Sequence, residues 1–193
     1  MATYRAVTGV LTALKDVLDA RISDLAAEIS NPSVVLLGSQ QLRDDPTGNA
    51  LGIYLHRISV DPFGRNRYLP PQRPGNAPRP ELPVNLHILL VGRSLSASAE
   101  ITLVAWAMQS IGAAMELDAA HLAAIDPNWS SQERLQIIPE EMSTEDLMRV
   151  WDSLPGDYRL STPYLVKTLR LEPVADTTQG PPVTSIVLPV EQI

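Results

Sequence analysis

Two stretches of the chain alternate apolar with mixed side chains over the length of a long β-strand. In the first, which begins at Ala50, every second residue from Leu51 to Leu55 is a large aliphatic. The second begins at Val84 and shows the same alternation up to Leu90. Because successive side chains of a strand point to opposite faces, each stretch predicts one apolar face and one mixed face. This pattern is typical of a sheet with helices packed mainly on one side, so we predict an α+β fold with a mixed or antiparallel sheet.

The alternation assigns each side chain of these strands to a face. The predicted apolar faces are Leu51, Ile53 and Leu55 in the first strand and Val84, Leu86, Ile88 and Leu90 in the second. The predicted mixed faces are Tyr54, His56, Ile58 and Val60 in the first strand and Asn85, His87, Leu89 and Val91 in the second. The mixed faces are candidates for contact with a partner. Shorter strands are predicted at residues 34–37 and 135–138.

Three stretches have helical periodicity. Residues 3–29 place apolar side chains at steps of three and four and predict one long helix that ends before Asn31-Pro32. Residues 97–115 predict a second helix. Ser143 is the predicted N-cap of a short third helix, which Pro155-Gly156 ends before a strand from Tyr164. The predicted core-facing side of the second helix is Ile101, Val104, Ala105, Met108, Ile111 and Met115, and the residues predicted to share one face of the last strand are Leu165, Leu169 and Leu171.

A proline-rich connection joins the two long strands. Residues 61–83 contain seven prolines, which exclude regular strand pairing. Connections of this length are uncommon in compact domains unless they are functional or disordered. The candidate contact residues in this connection, the most basic stretch of the chain, are Arg65, Asn66, Arg67, Arg73 and Arg79. Two interpretations stay open: a solvated loop, or arginines that dock on an acidic protein surface during assembly.

The carboxyl-terminal segment differs in composition from the rest of the chain. We predict one domain over residues 1–172, followed over residues 173–193 by a linker rich in Pro, Thr and Gly and a last strand, Ser185–Val190. The centre of that strand, Ile186, Val187 and Leu188, is a second set of candidate contacts. An added strand satisfies the unpaired amides of a sheet edge, either of its own sheet or of a neighbour's.

Composition excludes several classes of function. The net charge of −7 and the isoelectric point of about 4.9 argue against nucleic acid as a main partner, because phosphate binding needs basic surface. The chain has no cysteine, which removes disulfides and thiolate sites. The sequence contains no run of eighteen uncharged apolar residues, so no membrane span is predicted. The amino terminus has no secretory pattern.

No catalytic or cofactor motif is recognisable in the sequence. His56 and His87 fall on neighbouring predicted strands and could bind a metal together, but two hydrogen-bonded strand histidines are the favoured interpretation. The acidic pair Glu140-Glu141 is expected to be solvated. There is no nucleophile elbow, phosphate loop or dinucleotide-binding turn. We therefore expect no enzyme, no cofactor and no metal site.

Several segments taken together resemble the tail-terminator or cap family of extracellular contractile injection systems. These are ALGIYLHRISVDPFGRN (50–66), LPVNLHILLV (82–91), SAEITLVAWAMQSI (98–111) and LMRVWDSLPGDYRLSTPYLVKTLRLE (147–172), with the amino-terminal helix before them. Arg65-Asn66 matches an Arg-Asn element of the family. Trp151, followed by Tyr158 to Tyr164, matches its tryptophan and Tyr-Arg-Leu-Ser-x-x-Tyr segment. Their order and spacing carry the resemblance over most of residues 3–172.

The resemblance implies a tail-terminator-like fold and a structural role. In that role a ring, six-membered in the family, closes the end of the inner tube and sheath away from the baseplate and fixes particle length. The implied partners are copies of the same chain and the tube and sheath proteins, with assembly in the cytoplasm and possible release of the particle from the cell. Two alternatives remain: a baseplate or neck adaptor of the same particle, and an unrelated small-molecule binding domain.

Overall fold

A computed structural model describes residues 3–63, 81–112, 116–123, 129 and 134–172. Within these ranges the chain forms four α-helices, one 3₁₀ helix and six strands. The helices are α1 (Arg5–Asp19), α2 (Ala97–Gly112), α3 (Ala119–Ala123) and α4 (Thr144–Asp152), and the 3₁₀ helix is Ile22–Leu25. The strands are β1 (Ser33–Leu37), β2 (Ala50–Val60), β3 (Leu82–Arg93), β4 (Glu116–Leu117), β5 (Leu135–Pro139) and β6 (Ser161–Leu171).

The six strands form one sheet in the order β1-β2-β3-β6-β5-β4. β1 pairs with β2 in parallel, and every other neighbouring pair is antiparallel. The long strands β2, β3 and β6 form the centre, as the alternation in the sequence predicted. The α+β class with a mixed sheet is confirmed.

Helices cover the two faces of this sheet unequally. The larger core lies on one face and includes buried residues of α1, α2 and α3, such as Leu14, Leu103 and Leu122. A smaller cluster on the opposite face packs Trp151 of α4 against Tyr54 and Leu89. Helices therefore lie mainly on one side, as predicted, with α4 alone on the second side among the described elements.

α1 is shorter than the predicted helix. It ends at Asp19, and the chain continues through the 3₁₀ helix. Ile22, Leu25 and Ile29 are still buried, as their place on the predicted stripe requires. A 3₁₀ turn repeats every three residues, so it keeps these side chains on the core side without an α-helix. Asp19 is the last residue of α1, and its Oδ1 accepts a hydrogen bond from the amide of Val34 at 2.9 Å.

Two irregularities correct the predicted faces of β2 and β6. The β2–β3 register shifts between Leu55 and Arg57, and the β3–β6 register shifts so that Val84 pairs with Leu169 but Leu86 with Val166. Each extra residue reverses which face the following side chains occupy. Ile58 and Val60, opposite Leu86 and Val84, therefore lie on the face of the larger core rather than with Tyr54. In β6, Leu165 pairs with His87 on the other face, so the prediction that it shares a face with Leu169 and Leu171 is wrong.

The capped helix α4 forms as the sequence predicted. Ser143 is its N-cap, and the amide of Asp146 donates to the Ser143 hydroxyl at 3.1 Å. The helix ends at Asp152, and Gly156 follows with a φ of +117°, a left-handed value that favours glycine. A Cβ at Gly156 would lie 2.9 Å from the carbonyl oxygen of Leu42, so the turn also packs tightly. None of the described helices is long and apolar enough to cross a membrane.

Candidate assembly surfaces

The contact residues predicted from the sequence all lie outside the described residues. They are Arg65, Asn66, Arg67, Arg73 and Arg79 in the connection between β2 and β3, and Ile186, Val187 and Leu188 near the carboxyl terminus. The described residues end beside both segments, at Phe63, Glu81 and Glu172. The surfaces that these three positions adjoin are therefore the place to look for contacts.

The outward side of α2 is apolar. Ile101 and Met108 are 59% and 46% exposed, Ala105 between them is exposed, and Leu95 just before the helix is 86% exposed. The buried side consists of other residues, among them Leu103, Trp106 and Ala107. The predicted core side of α2 was therefore wrong for Ile101, Ala105 and Met108, although Val104 and Ile111 are buried and Met115 lies outside the described residues.

Apolar residues on both sides of α2 explain this error. A helix that is apolar all round gives a weak periodic signal, so the sequence does not show which side faces the core. Glu100 is the one charged residue of the helix. An uncharged apolar helix face that the rest of the described chain leaves exposed is typical of a protein–protein contact.

Glycine fixes the position of α2 on the sheet. A Cβ at Gly92 of β3 would lie 3.0 Å from the carbonyl oxygen of Glu100 and 3.2 Å from Cγ2 of Val104. The first turns of the helix thus rest directly on the backbone of the strand. This close approach sets where the exposed residues of α2 point.

Half of β2 forms an open sheet edge. β1 pairs only with Ala50–Tyr54, so in the described part of the chain no strand flanks Leu55–Val60 on that side. Asp61 donates its amide to the carbonyl of Pro83 at 2.9 Å, and alternation along an antiparallel strand then directs the amides of Ile58 and Val60 away from β3. Their side chains are 50% and 45% exposed. Unpaired amides beside exposed aliphatic side chains make this edge a template for a further strand.

The edge formed by β1 is different because side chains accept hydrogen bonds from two of the backbone amides along it. Val34 donates to Asp19 Oδ1 at 2.9 Å, and Gly38 just after the strand donates to Gln41 Oε1 at 2.7 Å. Bonds of this kind leave few groups for another strand to pair with. β4, at the far end of the sheet, is two residues long.

A buried polar cluster lies on the second face of the sheet, beside the open half of β2. His87 Nδ1 is 2.6 Å from Oε1 of Glu140, and His87 Nε2 is 2.7 Å from the hydroxyl of Ser59. Arg57 Nη2 lies 3.2 Å from His87 Nδ1 and 3.6 Å from Glu140 Oε1. The side chain of Glu140 is 13% exposed, so the expectation that it is solvated is wrong. No sequence spacing links Glu140 to His87, because only the sheet brings the end of β5 near β3, with β6 between the two strands.

Hydrogen bonds join Ser59 to His87 and His87 to Glu140, as in the triad of a serine hydrolase. The position of Ser59 in the fold, however, does not suit a catalytic serine. Ser59 lies inside a paired strand rather than on a sharp turn, and by the alternation above its amide faces β3. That amide is therefore not available to stabilise an oxyanion at this hydroxyl. The cluster instead ties the residue after β5 to β2 and β3 through hydrogen bonds.

The second histidine lies close to this cluster, as predicted. The rings of His56 and His87 are 6.0 Å apart in an edge-to-face arrangement. Burial lowers the pKa of His56, and the nearby His87 and Arg57 act in the same direction while Glu140 opposes them. In the described ranges, no group of three or more His, Cys, Asp or Glu side chains is placed to hold a metal ion.

A shallow cavity beside α1 is poorly suited to a small ligand. Its volume is ≈ 410 Å³, and it is lined by one helix end, Tyr4, Arg5, Thr8, Gly9 and Thr12. Ligand sites usually enclose most of the ligand between several elements. This geometry gives the small-molecule alternative no support.

Comparison with known proteins gives a family and several similar structures, two of which are described below. Residues 9–185 match the sequence profile of the family described as the Pvc16 N-terminal domain. A sheath/tube terminator of an extracellular contractile injection system, PVC, in the extended state is 20% identical, with a TM-score of 0.50 over 92% of this chain and 63% of that one. The tube-terminating cap of the anti-feeding prophage is 20% identical, with a TM-score of 0.51 over 91% of this chain and 60% of that one. No curated protein sequence matches this chain significantly.

These similarities agree with the fold and with the resemblance seen in the sequence. The chain spans about three fifths of the length of the two matching structures named above. Both structures were determined by cryo-electron microscopy, the first on an extracellular contractile injection system and the second on the anti-feeding prophage cap. Neither the family nor these structures is described as an enzyme.

Proposed function

Because this chain belongs to the Pvc16 N-terminal domain family, we propose that it is a structural cap of a contractile injection system. The chain forms a ring, six-membered as the resemblance implies, at the end of the inner tube and sheath away from the baseplate. There it stops growth and fixes the length of the particle. The observation that carries this proposal is the family match over residues 9–185, which the shared fold of two terminators supports.

The exposed side of α2 is a surface through which the proposed ring can make its contacts. A ring needs contacts between copies and contacts to the proteins beneath it, and heterologous contacts that close on themselves use two different patches of one chain. The uncharged residues Ile101, Ala105 and Met108 suit a contact that excludes water. In an acidic chain, such a face allows approach without repulsion between like charges.

Two further segments are proposed as contacts with the particle. The arginines Arg65, Arg67, Arg73 and Arg79, with Asn66, dock on acidic surface of a tube or sheath protein. Ile186, Val187 and Leu188 pair with a sheet edge during assembly. We place assembly in the cytoplasm before the particle leaves the cell.

The test combines mass and particle shape. Native mass spectrometry of the purified chain is expected to give a hexameric mass. Electron microscopy of particles made without the chain is expected to show irregular lengths or lost sheath. A stable monomer together with normal particle ends in its absence would refute the cap. Normal lengths with a missing baseplate or neck would instead identify the adaptor of the same particle.

The α2 face is tested by Ile101→Asp, with Tyr4→Asp as the matched control. Both replace an exposed apolar residue by the same charge, and Tyr4 lies just before α1 with 64% of its surface exposed. Ile101→Asp is expected to reduce capping in particles while leaving the fold unchanged by circular dichroism. Equal capping by both variants would exclude α2 as a contact.

A further inference from the structure

On the side away from β3, no described strand flanks Leu55–Val60 of β2. The amides of Ile58 and Val60 point outward, whereas the amides of Val34 on β1 and of Gly38 just after β1 are bonded to Asp19 and Gln41. Exposed edges of this kind are usually blocked by charge, proline or a covering element. Ile58 and Val60 are neither charged nor proline, and they are half-exposed.

One segment of the chain matches this edge in chemistry. Residues 183–190, VTSIVLPV, carry no charge, and their alternation predicts a strand from Ser185. Ile186 and Leu188 share one face of that strand. Placed beside β2, they would continue the apolar face of Ile58 and Val60. The backbone amides would supply most of the attraction, so the contact does not depend on the net charge of −7.

The chain leaves the sheet at the same end as this edge. Leu171, at the end of β6, pairs with Leu82, and Val60 pairs with Val84 of the same strand. A strand added beyond β2 would lie three strand spacings from β6, which is about 14 Å. The twelve residues 173–184 can extend to roughly 40 Å. The linker is nearly three times longer than the path to its own edge, so its length also allows it to reach the edge of a neighbouring copy, and Gly180-Pro181-Pro182 favours an extended form.

We infer that the terminal strand of one copy pairs with the open edge of β2, residues Leu55–Val60, in a second copy of this chain. This inference rests on the proposed ring and names the backbone contact that joins its members. The donor strand and the acceptor edge are different parts of the chain, so each contact is head-to-tail. Repetition of such a contact closes a ring when the last strand reaches the first edge.

Cysteine cross-linking tests the contact directly because the chain contains no cysteine of its own. One preparation carries Val60→Cys and a second carries Ile186→Cys. Mixed and oxidised, they are expected to form a disulfide-linked dimer of one copy of each. Tyr4→Cys mixed with Ile186→Cys is the control, since Tyr4 is exposed just before α1, and it is expected to give background cross-linking only.

A proline substitution tests the same pairing without cross-linking. Val187→Pro removes one amide from the terminal strand and is expected to weaken assembly roughly tenfold or more. Val183→Pro makes the same change just before the strand and is expected to leave assembly unchanged. Both are measured on the full chain by native mass spectrometry over a dilution series.

Three results would overturn the inference. The first is a disulfide within single copies of a Val60→Cys, Ile186→Cys double variant, with none between copies in the mixture, which would show that the strand folds on its own sheet. The second is the absence of any cross-link above the control. The third is equal assembly by Val187→Pro and Val183→Pro. In each case the cap function would still stand if particles without the protein had abnormal ends, so the two proposals fail separately.

Discussion

Gly92→Ala gives the sharpest test of how α2 is positioned. The new Cβ would lie 3.0 Å from the carbonyl oxygen of Glu100, 3.2 Å from Val104 Cγ2 and 3.3 Å from Glu100 Cα. Two of these three atoms belong to the helix backbone, which cannot rotate aside as a side chain can. The helix must therefore move away from β3 by a few tenths of an ångström.

The expected cost follows from two opposing effects. Overpacking of a filled core costs about 1–3 kcal/mol. Alanine also reduces the conformational entropy of the unfolded chain, which stabilises the protein by about 0.4–1 kcal/mol. The middle values of these ranges, about 2 and about 0.7 kcal/mol, leave a net loss of roughly 1.3 kcal/mol in the free energy of unfolding. For a chain of this length, such a loss lowers Tm by about 3–5 °C.

Urea unfolding followed by circular dichroism measures this loss, with Gly112→Ala as the matched control. Gly112 ends the same helix, and a Cβ there meets no atom within 4 Å. Its replacement is expected to leave stability unchanged or to raise it, because alanine favours the helix. Stability of Gly92→Ala equal to that of the natural chain, or an equal loss in both variants, would refute the close packing of α2 on β3.

Three other perturbations test the rest of the described structure. Gly156→Ala is expected to cost about 1–3 kcal/mol in thermal unfolding, because its φ of +117° strains an L-residue, and a variant as stable as the natural chain would contradict that turn. Trp151→Phe removes the indole donor to the buried Ser161 hydroxyl, 3.0 Å away, and is expected to cost about 1–3 kcal/mol, with a smaller further loss when Ser161→Ala is added. The pKa of His56 is lowered by burial from 6.5, so the unfolded chain binds its proton more readily and stability is expected to fall as pH drops below 6.5. His56→Gln should flatten that part of the stability curve, and an unchanged slope would show that other groups cause it.

The sequence predicted α4 and the strands other than β4 because their signals are local. Alternation in β2 and β3 and the cap at Ser143 depend on residues that are neighbours in the chain. The length of α1 was overestimated, because a 3₁₀ turn preserves the burial of Ile22 and Leu25 that a longer helix would also have produced. Helical periodicity in a sequence shows which residues are buried, but it does not distinguish an α-helix from a 3₁₀ helix.

The faces of β2 and β6 beyond their irregularities could not be predicted from alternation. An inserted residue leaves no mark in composition, yet it reverses the side to which Ile58 and Leu165 point. The pairing of His87 with Glu140 likewise depends on strand order, since 53 positions separate the two residues. These features arise from tertiary pairing, which a single sequence does not encode in a readable pattern.

The bonded amides of Val34 and Gly38 limit how many strand-pairing contacts one copy can make in an assembly. If the terminal strand pairs with β2 as proposed, each copy has one donor strand and one acceptor edge, and the bonds to Asp19 and Gln41 make β1 a poorer acceptor. Units with two connections can form lines or closed circles, but they cannot branch. Raising their concentration then adds members without producing a branched network, so the bonds beside β1 would limit cross-linking between copies.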